Sequence, residues 1–393
     1  MPDTDLFEFN RTHSMESTKH IIHTRTTEPP SPSTLVQKTL LSGDWSISMD
    51  DITYKPVNVP GSPYLQGVKV DFDTPFWYQK EIPLPDVLEG QKVVLQFDGV
   101  YSEAWVSING SDAGHHLGGF TSWEVELSPD MLDSDVLNIN VKVIDRSDDV
   151  SAASLYARHR IGGILRDVWL VIRPPYSIVS LRATPDLDPN YEHGVLTMDL
   201  SVSMEHAIFA THDVTLQTSL LSPDGDPLED AERTFSVLSR ASRFECQIPN
   251  IQKWTDETPS LYQLKTRLLV NQEVQHERCD FIGFRNVETQ GNTLLLNGKA
   301  IRLRGINRHD IHPERGRCSS REIDEKDVAL IREANLNFVR TAHYPPSNYF
   351  LELCDRHGLL VECETAACFN SFAAGRNLKT QHDENYVNWY LQQ

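Results

Sequence analysis

Asn337-Phe338-Val339-Arg340-Thr341-Ala342-His343-Tyr344-Pro345, followed by Cys354-Asp355-Arg356-His357-Gly358-Leu359-Leu360-Val361, is the stretch on which the fold turns. An apolar strand delivers Arg340 and His343 into a loop, a helix follows, and a second apolar strand comes after it. A parallel β/α barrel presents its chemistry in this way, on side chains at the carboxyl ends of its strands. The chain ends about thirty residues further on, whereas a whole barrel takes roughly 250 residues, so an incomplete barrel is expected.

Working outward, Ala300-Ile301-Arg302-Leu303-Arg304-Gly305 reads as an earlier strand of the same kind. A helix is expected after it, capped by Ser319 with Glu322 three residues on. Its apolar residues Val328, Leu330, Ile331 and Ala334 fall at three- and four-residue intervals. Phe338-Val339 is the next strand, Tyr349 to Arg356 the next helix, and Leu359 to Cys363 the third strand. This β-α-β-α-β order implies parallel strands joined by right-handed crossovers. Residues 286–393 therefore read as the first three β/α units of an incomplete TIM (β/α)8 barrel.

Residues just past each strand of such a barrel share one face. Asn307, Arg308, His309 and Asp310 follow the first strand, Arg340 and His343 the second, and Glu364 the third. Two imidazoles, two guanidiniums and carboxylates are expected to converge there. This set suits a polyol: imidazoles donate to and accept from hydroxyls, and Arg340 can hold a carboxylate in a bidentate contact. The same residues also suit a plain ion pair between Arg340 and Glu364, with the histidines satisfying loop carbonyls. His312-Pro313 reads as loop architecture. Glycoside hydrolysis with retention needs two carboxyl groups about 5–5.5 Å apart. Asp310 and Glu364 are the carboxylates at these strand ends, but they are not expected to be that pair. Glu364 would support its neighbours, and Asp310 would point away.

Upstream the style is different. Residues 1–40 are polar, contain Glu28-Pro29-Pro30-Ser31-Pro32-Ser33, and read as an extended arm. From residue 41 to 175 short strand patterns recur, among them Phe76–Ile82, Lys92–Val100, Ala104–Ile108 and Val136–Val143. Asn109-Gly110 is a hairpin-turn signal, and no helix is evident. This is the pattern of a β-sandwich or jelly roll. Residues 176–285 repeat it at lower aromatic density and suit an immunoglobulin-like sandwich. Two to four domains agree with a length of 393 residues.

The net charge of −20 leaves no basic stripe to neutralise phosphates, which argues against nucleic acid and for solubility. The six cysteines form no CxxC pair, so neither a disulfide framework nor a zinc site is expected. The start, Met1-Pro2-Asp3-Thr4-Asp5, lacks a basic and then apolar leader, and no run is long enough to span a bilayer. A cytoplasmic protein is expected.

The motifs also carry a family resemblance. Asn337-x-x-Arg340-x-x-His343-Tyr344-Pro345, continuing through Asp355-x-x-Gly358, resembles the first signature of glycoside hydrolase family 2. Gly305-Ile306-Asn307-Arg308-His309-x-x-His312-Pro313 is most similar to its β-galactosidases; β-glucuronidases usually carry Lys at the Arg308 position. Gly283-Phe284-Arg285, Leu296-Asn297-Gly298-Lys299, Gly118-Gly119-Phe120 and Gly162-Gly163-Ile164-x-Arg166-Asp167-Val168 extend the likeness over residues 41–393. The resemblance implies a jelly-roll sugar-binding domain, an immunoglobulin-like sandwich and a (β/α)8 catalytic barrel in a retaining exo-β-galactosidase. It implies that His309, His343 and Asn307 line the galactosyl site, with Arg340 orienting the nucleophile and Glu364 in the same pocket. The family's acid/base Glu, in an Asn-Glu pair, and its nucleophilic Glu lie beyond Gln393, so no catalytic residue is expected within the chain and the chain alone is expected to be inactive. No cofactor is expected. Cys368-Phe369-Asn370 stands where magnesium-dependent members place a Glu and a His, so that site is expected to be absent or rebuilt, and Ala157 replaces an Asp that serves sugar and sodium in some members. The expected partner is a β-galactoside or related glycan, with a homo-oligomer or a complementing chain as a further expectation. The alternatives are a non-catalytic carbohydrate-binding or partner-complementing fragment, or a member acting on another β-glycoside. An isolated chain is expected to have stable sandwiches and a poorly ordered last third.

Overall fold

The computed structural model describes residues 36–87, 89–149, 151–318 and 320–366. Most of the expected N-terminal arm lies outside these residues. Its last four residues are a correction: Gln37–Leu40 is a strand, paired antiparallel with Trp169–Ile172.

Residues 36–175 form two antiparallel sheets over one core. One sheet orders Gln37–Leu40, Val168–Arg173, Lys92–Phe97 and Trp123–Glu126. The other orders Tyr54–Val59, Gly43–Ser48, Pro75–Pro83, Val136–Ile144, Glu103–Ile108 and Ser111–Leu117. The period of two is plain in Val136–Ile144, where Leu137, Ile139, Val141 and Val143 are buried and Asn138 is exposed. Asn109 and Gly110 take φ of +52° and +86°, as a two-residue hairpin between Glu103–Ile108 and Ser111–Leu117 requires. A single helical turn, Ala153–Tyr156, interrupts the strands.

The second sandwich sets Ser177–Leu187, Gly194–Ser203 and Ala241–Ile248 against Arg233–Ser236, Val214–Leu221, Tyr262–Val270 and Glu273–Ile282. His276 ties the two sheets together: its Nδ1 accepts from the Ile178 amide at 2.8 Å. Burial, with Arg278 and Arg173 nearby, lowers its pKa to about 4. The unfolded chain takes that proton near pH 6.5 and the folded one resists it, so this histidine costs stability as pH falls from 6.5 towards 4. The expected cost is about 2–3 kcal/mol. Buried Asp145, raised to about 6, works in the opposite sense, so a variant isolates the effect. Relative to the wild type, His276→Gln should lose less stability in urea titrations between pH 7 and pH 4. Parallel pH profiles would refute the assignment.

The barrel segment begins after a small antiparallel unit, Val287–Gln290, Thr293–Leu296 and Lys299–Ala300. Three parallel strands follow: β1 (Gly305–Arg308), β2 (Phe338–Thr341) and β3 (Leu360–Cys363), in that order in the sheet. The helices α1 (Arg321–Glu333) and α2 (Asn348–His357) connect them. The first strand therefore lies further along the chain than Ala300–Gly305. Gly305 opens it, because a Cβ there would lie 2.1 Å from the Phe338 carbonyl oxygen. Asn307 and Arg308 thus lie within the strand instead of after it.

The cap of α1 is Ser320, whose Oγ accepts from the Ile323 amide at 3.4 Å; the expected cap, Ser319, is outside the described residues. The buried face of α1 is Asp324, Val328 and Ile331, while Leu330 is 52% exposed and Ala334 is exposed too. The helix is turned from the expected stripe because a carboxylate, Asp324, takes an inward position. Val339 of β2 packs against Val328, Ile331, Phe350 and Leu353, so the helices cover one face of the sheet. Phe338 and Leu360 on the other face meet Trp254, Leu296 and Ile301 at the strands' amino ends. Nothing among the described residues forms a helix long and apolar enough to cross a membrane.

Asn337, the first residue of the signature stretch, is a joint. Its Oδ1 accepts from the Arg304 amide at 2.8 Å, and its Nδ2 donates to Asp256 Oδ2 at 2.8 Å and to the Arg302 carbonyl at 3.2 Å. It is buried and holds the lead into β1, the strand β2 and the second sandwich together. Asn337→Ala should cost about 2 kcal/mol, since a buried amide and a carboxylate lose their partner. Chemical denaturation would read it, and a loss within 0.5 kcal/mol, the range about expected for surface changes, would refute the role.

Candidate active site

Parallel pairing fixes which side chains share a face. Asn307 pairs with Arg340 and Arg340 with Glu362, whereas Arg308 pairs with Thr341 and Thr341 with Cys363. The helix-facing set includes Val339, so the Asn307–Arg340–Glu362 row faces the opposite way, into the side a barrel would enclose. Asn307 and Glu362 are exposed there, and Arg340 is half-buried.

Glu364, just past β3, organises the row. Its Oε2 receives Arg340 Nη2 at 2.6 Å and its Oε1 lies 3.0 Å from His343 Nδ1. Its own amide donates to Thr341 Oγ1 at 3.2 Å. Glu362 adds a longer contact to Arg340 Nε, at 3.6 Å. A carboxylate only accepts, so Nδ1 is the donor of the His343 ring in this contact, and Glu364 thereby fixes the ring's orientation. His309 stands edge-on to His343, ring centres 5.1 Å apart at 76°. Its pKa is lowered by burial first and then by Arg317 and His343, with Glu364 opposing, so it is neutral at neutral pH. A neutral imidazole both donates and accepts hydrogen bonds.

Of the residues singled out from the sequence, the structure brings together His309, His343, Arg340 and Glu364, with Asn307 on the same face. The ion pair Arg340–Glu364 exists, and His343 meets that carboxylate, where a loop carbonyl was the alternative. Arg308 does not join them. It points to the helices, where it is bonded to Asp310, to Asp324 at 2.7 Å and to Asp327 at 2.8 Å, and lies 4.0 Å from the Phe350 ring centre. The site thus has one guanidinium from these strands where two were expected. Asp310 is buried between Arg308 and Arg166, the latter at 3.5 Å. It points away from the pocket, its two oxygens taken up by the two guanidiniums. His312 shapes its own loop, exchanging backbone hydrogen bonds with Gly316 at 2.8 and 2.9 Å.

The wall on the sandwich side had no signal in the strand pattern. Phe120 stacks on Tyr344 with ring centres 3.7 Å apart. Arg166 donates to the Phe120 and Pro345 carbonyls, each at 2.6 Å, and Arg317 donates to the Tyr344 hydroxyl at 2.7 Å. The repeated glycine–aromatic and Gly-Ile-x-Arg motifs contain Phe120 and Arg166, but nothing local says that they meet the loop after β2.

Ala157 packs beside the apolar group of Tyr101, Phe120 and Tyr344 and offers no oxygen. Among the described residues no group of three or more His, Cys, Asp or Glu side chains is placed to hold a metal ion. Cys368 lies outside the described residues. The residues present do not fit a cation at the Ala157 position.

Three domain models of glycosyl hydrolases family 2 match in series: the sugar-binding domain over residues 40–174, the central domain over 176–285 and the TIM-barrel domain over 287–390. The chain belongs to glycoside hydrolase family 2. It is 30% identical over 342 residues to a β-galactosidase of Psychromonas ingrahamii, covering 80% of this chain and 33% of that protein. It is 28% identical over 334 residues to a putative β-glucuronidase of Formosa agariphila, covering 83% and 39%. A crystal structure of a putative β-galactosidase from Bacteroides fragilis shares the fold, with a TM-score of 0.76 at 22% identity over 91% of this chain and 57% of that one. The chain spans about a third of the length of the curated β-galactosidases it matches. A β-glycosidase family with both galactosidase and glucuronidase relatives is the level at which these likenesses speak.

Proposed function

We propose that this chain carries the sugar-binding face of a retaining exo-β-galactosidase acting on terminal β-D-galactosides. The observation that carries the reading is the Glu364 carboxylate bridging Arg340 and His343, with His309 set edge-on beside them. Two differently oriented imidazoles suit vicinal hydroxyls of one ring. The reaction needs an acid and a nucleophile about 5–5.5 Å apart. Asp310 and Glu364 are both committed to cations. The reading therefore keeps the reacting carboxyls where the family resemblance expects them, beyond Gln393, and assigns Arg340 to the orientation of one of them.

The likeness to a glucuronidase favours a second reading, a β-glucuronide, with Arg340 or a histidine meeting the sugar carboxylate. Arg308 does not decide between the two, since its guanidinium is held by Asp324 and Asp327 on the helix side. Calorimetric titration with methyl β-D-galactopyranoside and methyl β-D-glucuronide separates them. The galactoside should bind more tightly, and His309→Ala and His343→Ala should weaken it. Preference for the glucuronide would overturn the galactoside assignment. Binding of either without hydrolysis of an aryl glycoside is the outcome expected of a chain that binds but does not itself cleave.

A further inference from the structure

The barrel sheet does not by itself set the distance between His309 and His343. Its ladder ends at the pair Arg308–Thr341, and the last backbone bond across it runs from the Ala342 amide to the Arg308 carbonyl at 2.8 Å. Both imidazoles lie past that point, on separate loops. His343 is held by Glu364. Among the described residues the His309 ring takes no hydrogen bond, so its place follows from its chain neighbours Arg308 and Asp310.

One side chain of the first sandwich spans the two loops. Arg166 Nη2 donates to the carbonyl of Pro345, two residues past His343, at 2.6 Å, and lies 3.5 Å from Oδ2 of Asp310, the residue after His309. Its Nη1 donates to the Phe120 carbonyl at 2.6 Å, so the same guanidinium stays tied to its own domain. The stem is held as well. The Arg166 amide donates to the Gly99 carbonyl at 3.3 Å, and Cδ passes so near Gly99 that a Cβ there would lie 3.1 Å from it. A planar guanidinium carries its donors in a fixed fork, which keeps these acceptors at set distances from one another. Tyr344, between His343 and Pro345, adds a second tie: its ring stacks on Phe120 and its hydroxyl donates to the Asp310 carbonyl at 3.4 Å. Arg308 takes the other oxygen of Asp310, so this carboxylate is fixed from both domains.

We propose that Arg166 is a positioning residue of the sugar site, which sets the spacing of His309 and His343 from the neighbouring domain. The assignment rests on the galactoside reading above for what the site binds, and adds to it the residue that keeps the two imidazoles in register. Arg166 acts through Asp310 and Pro345, and the imidazoles meet the sugar. Groups held within a fraction of an ångström bind more tightly than the same groups left loose, because the ordering is already done in the free protein.

The test uses the full chain with isotope-labelled histidine. In the wild type a nuclear Overhauser cross-peak should join the ring protons of His309 and His343, whose centres are 5.1 Å apart, and His309→Ala and His343→Ala identify it. Arg166→Met, which keeps the stem, should weaken that cross-peak and lower the calorimetric affinity for methyl β-D-galactopyranoside about tenfold. Arg166→Lys, with one ammonium in place of the fork, should fall between, and it carries the test if Arg166→Met does not fold. In a His309→Ala background Arg166→Met should cost little further affinity, whereas a merely structural arginine would cost the same in both backgrounds. A wild type without the cross-peak, a cross-peak and affinity unmoved by Arg166→Met, equal costs in the two backgrounds, or unfolding of both Arg166 variants would overturn the proposal. Absence of galactoside binding in the wild type would overturn the galactoside reading alone, since the cross-peak needs no ligand and still decides whether Arg166 sets the spacing.

Discussion

Replacing Arg308 with methionine is expected to destabilise the protein by about 3–5 kcal/mol, more than the loss of Asn337 or of Glu364. The side chain is 7% exposed and meets three carboxylates, Asp310, Asp324 and Asp327. Burial by itself disfavours its charge, but the three acids more than offset that and raise its pKa. Methionine would keep the apolar stem near Phe350 and leave Asp310 and Asp324 buried with less compensation. Asp324 also accepts from Ser347 Oγ at 2.6 Å, and Ser347 caps α2 through the Phe350 amide at 3.0 Å, so the damage would reach both helices. Arg308→Lys should fall between, because one ammonium cannot span three acids as a planar guanidinium does. Adding Asp324→Asn to Arg308→Met should cost less than the sum of the two separately. Urea unfolding measures all three, and a loss below 1 kcal/mol for Arg308→Met would refute the view that this cluster fastens β1 to α1 and α2. None of these changes should alter which sugar is preferred, since the cluster lies on the helix side of the sheet.

Arg308 also shows where the sequence is legible and where it is not. The alternation in Val136–Ile144 and in Gly194–Ser203 declares strands with one buried face, and both sandwiches follow from such segments. The apolar pair Phe338-Val339 with Arg340 and His343 beyond it declares a strand feeding a polar loop. Which face each residue takes depends on strand phase, and the apolar run Ala300–Leu303 points to a first strand several residues too early. The lead into β1 is fastened by Asn337, a residue more than thirty positions away that no local pattern connects to it. With the phase unset, Arg308 and His309 cannot be assigned to opposite sides. Two neighbouring serines leave a similar ambiguity at the start of α1. The sandwich-side wall, with Phe120 on Tyr344 and Leu65 beside Gly316, joins segments about 225 and 250 residues apart, and only tertiary packing brings them together.

The second large effect is expected at Glu364, and it should appear in ligand binding before stability. This carboxylate touches no proposed substrate atom; it positions Arg340 at 2.6 Å and His343 at 3.0 Å. A hydrogen bond to a charged group contributes about 1.5–3 kcal/mol, and Glu364→Ala removes two such contacts, so galactoside affinity should fall by about 100-fold. Glu364→Gln retains one acceptor and can serve only one of the two neighbours well, which places it near a tenfold loss. Because Glu364 is only partly buried, its removal should cost far less in unfolding free energy than Arg308→Met. A readout independent of affinity is the titration of His309 followed by NMR. Glu364 is the group that opposes the lowering of that imidazole's pKa, so in Glu364→Ala its midpoint should move to lower pH. A merely structural Glu364 would shift the melting curve and leave that midpoint in place. Unchanged affinity together with an unchanged midpoint would dissolve the positioning role and, with it, the observation on which the galactoside reading stands.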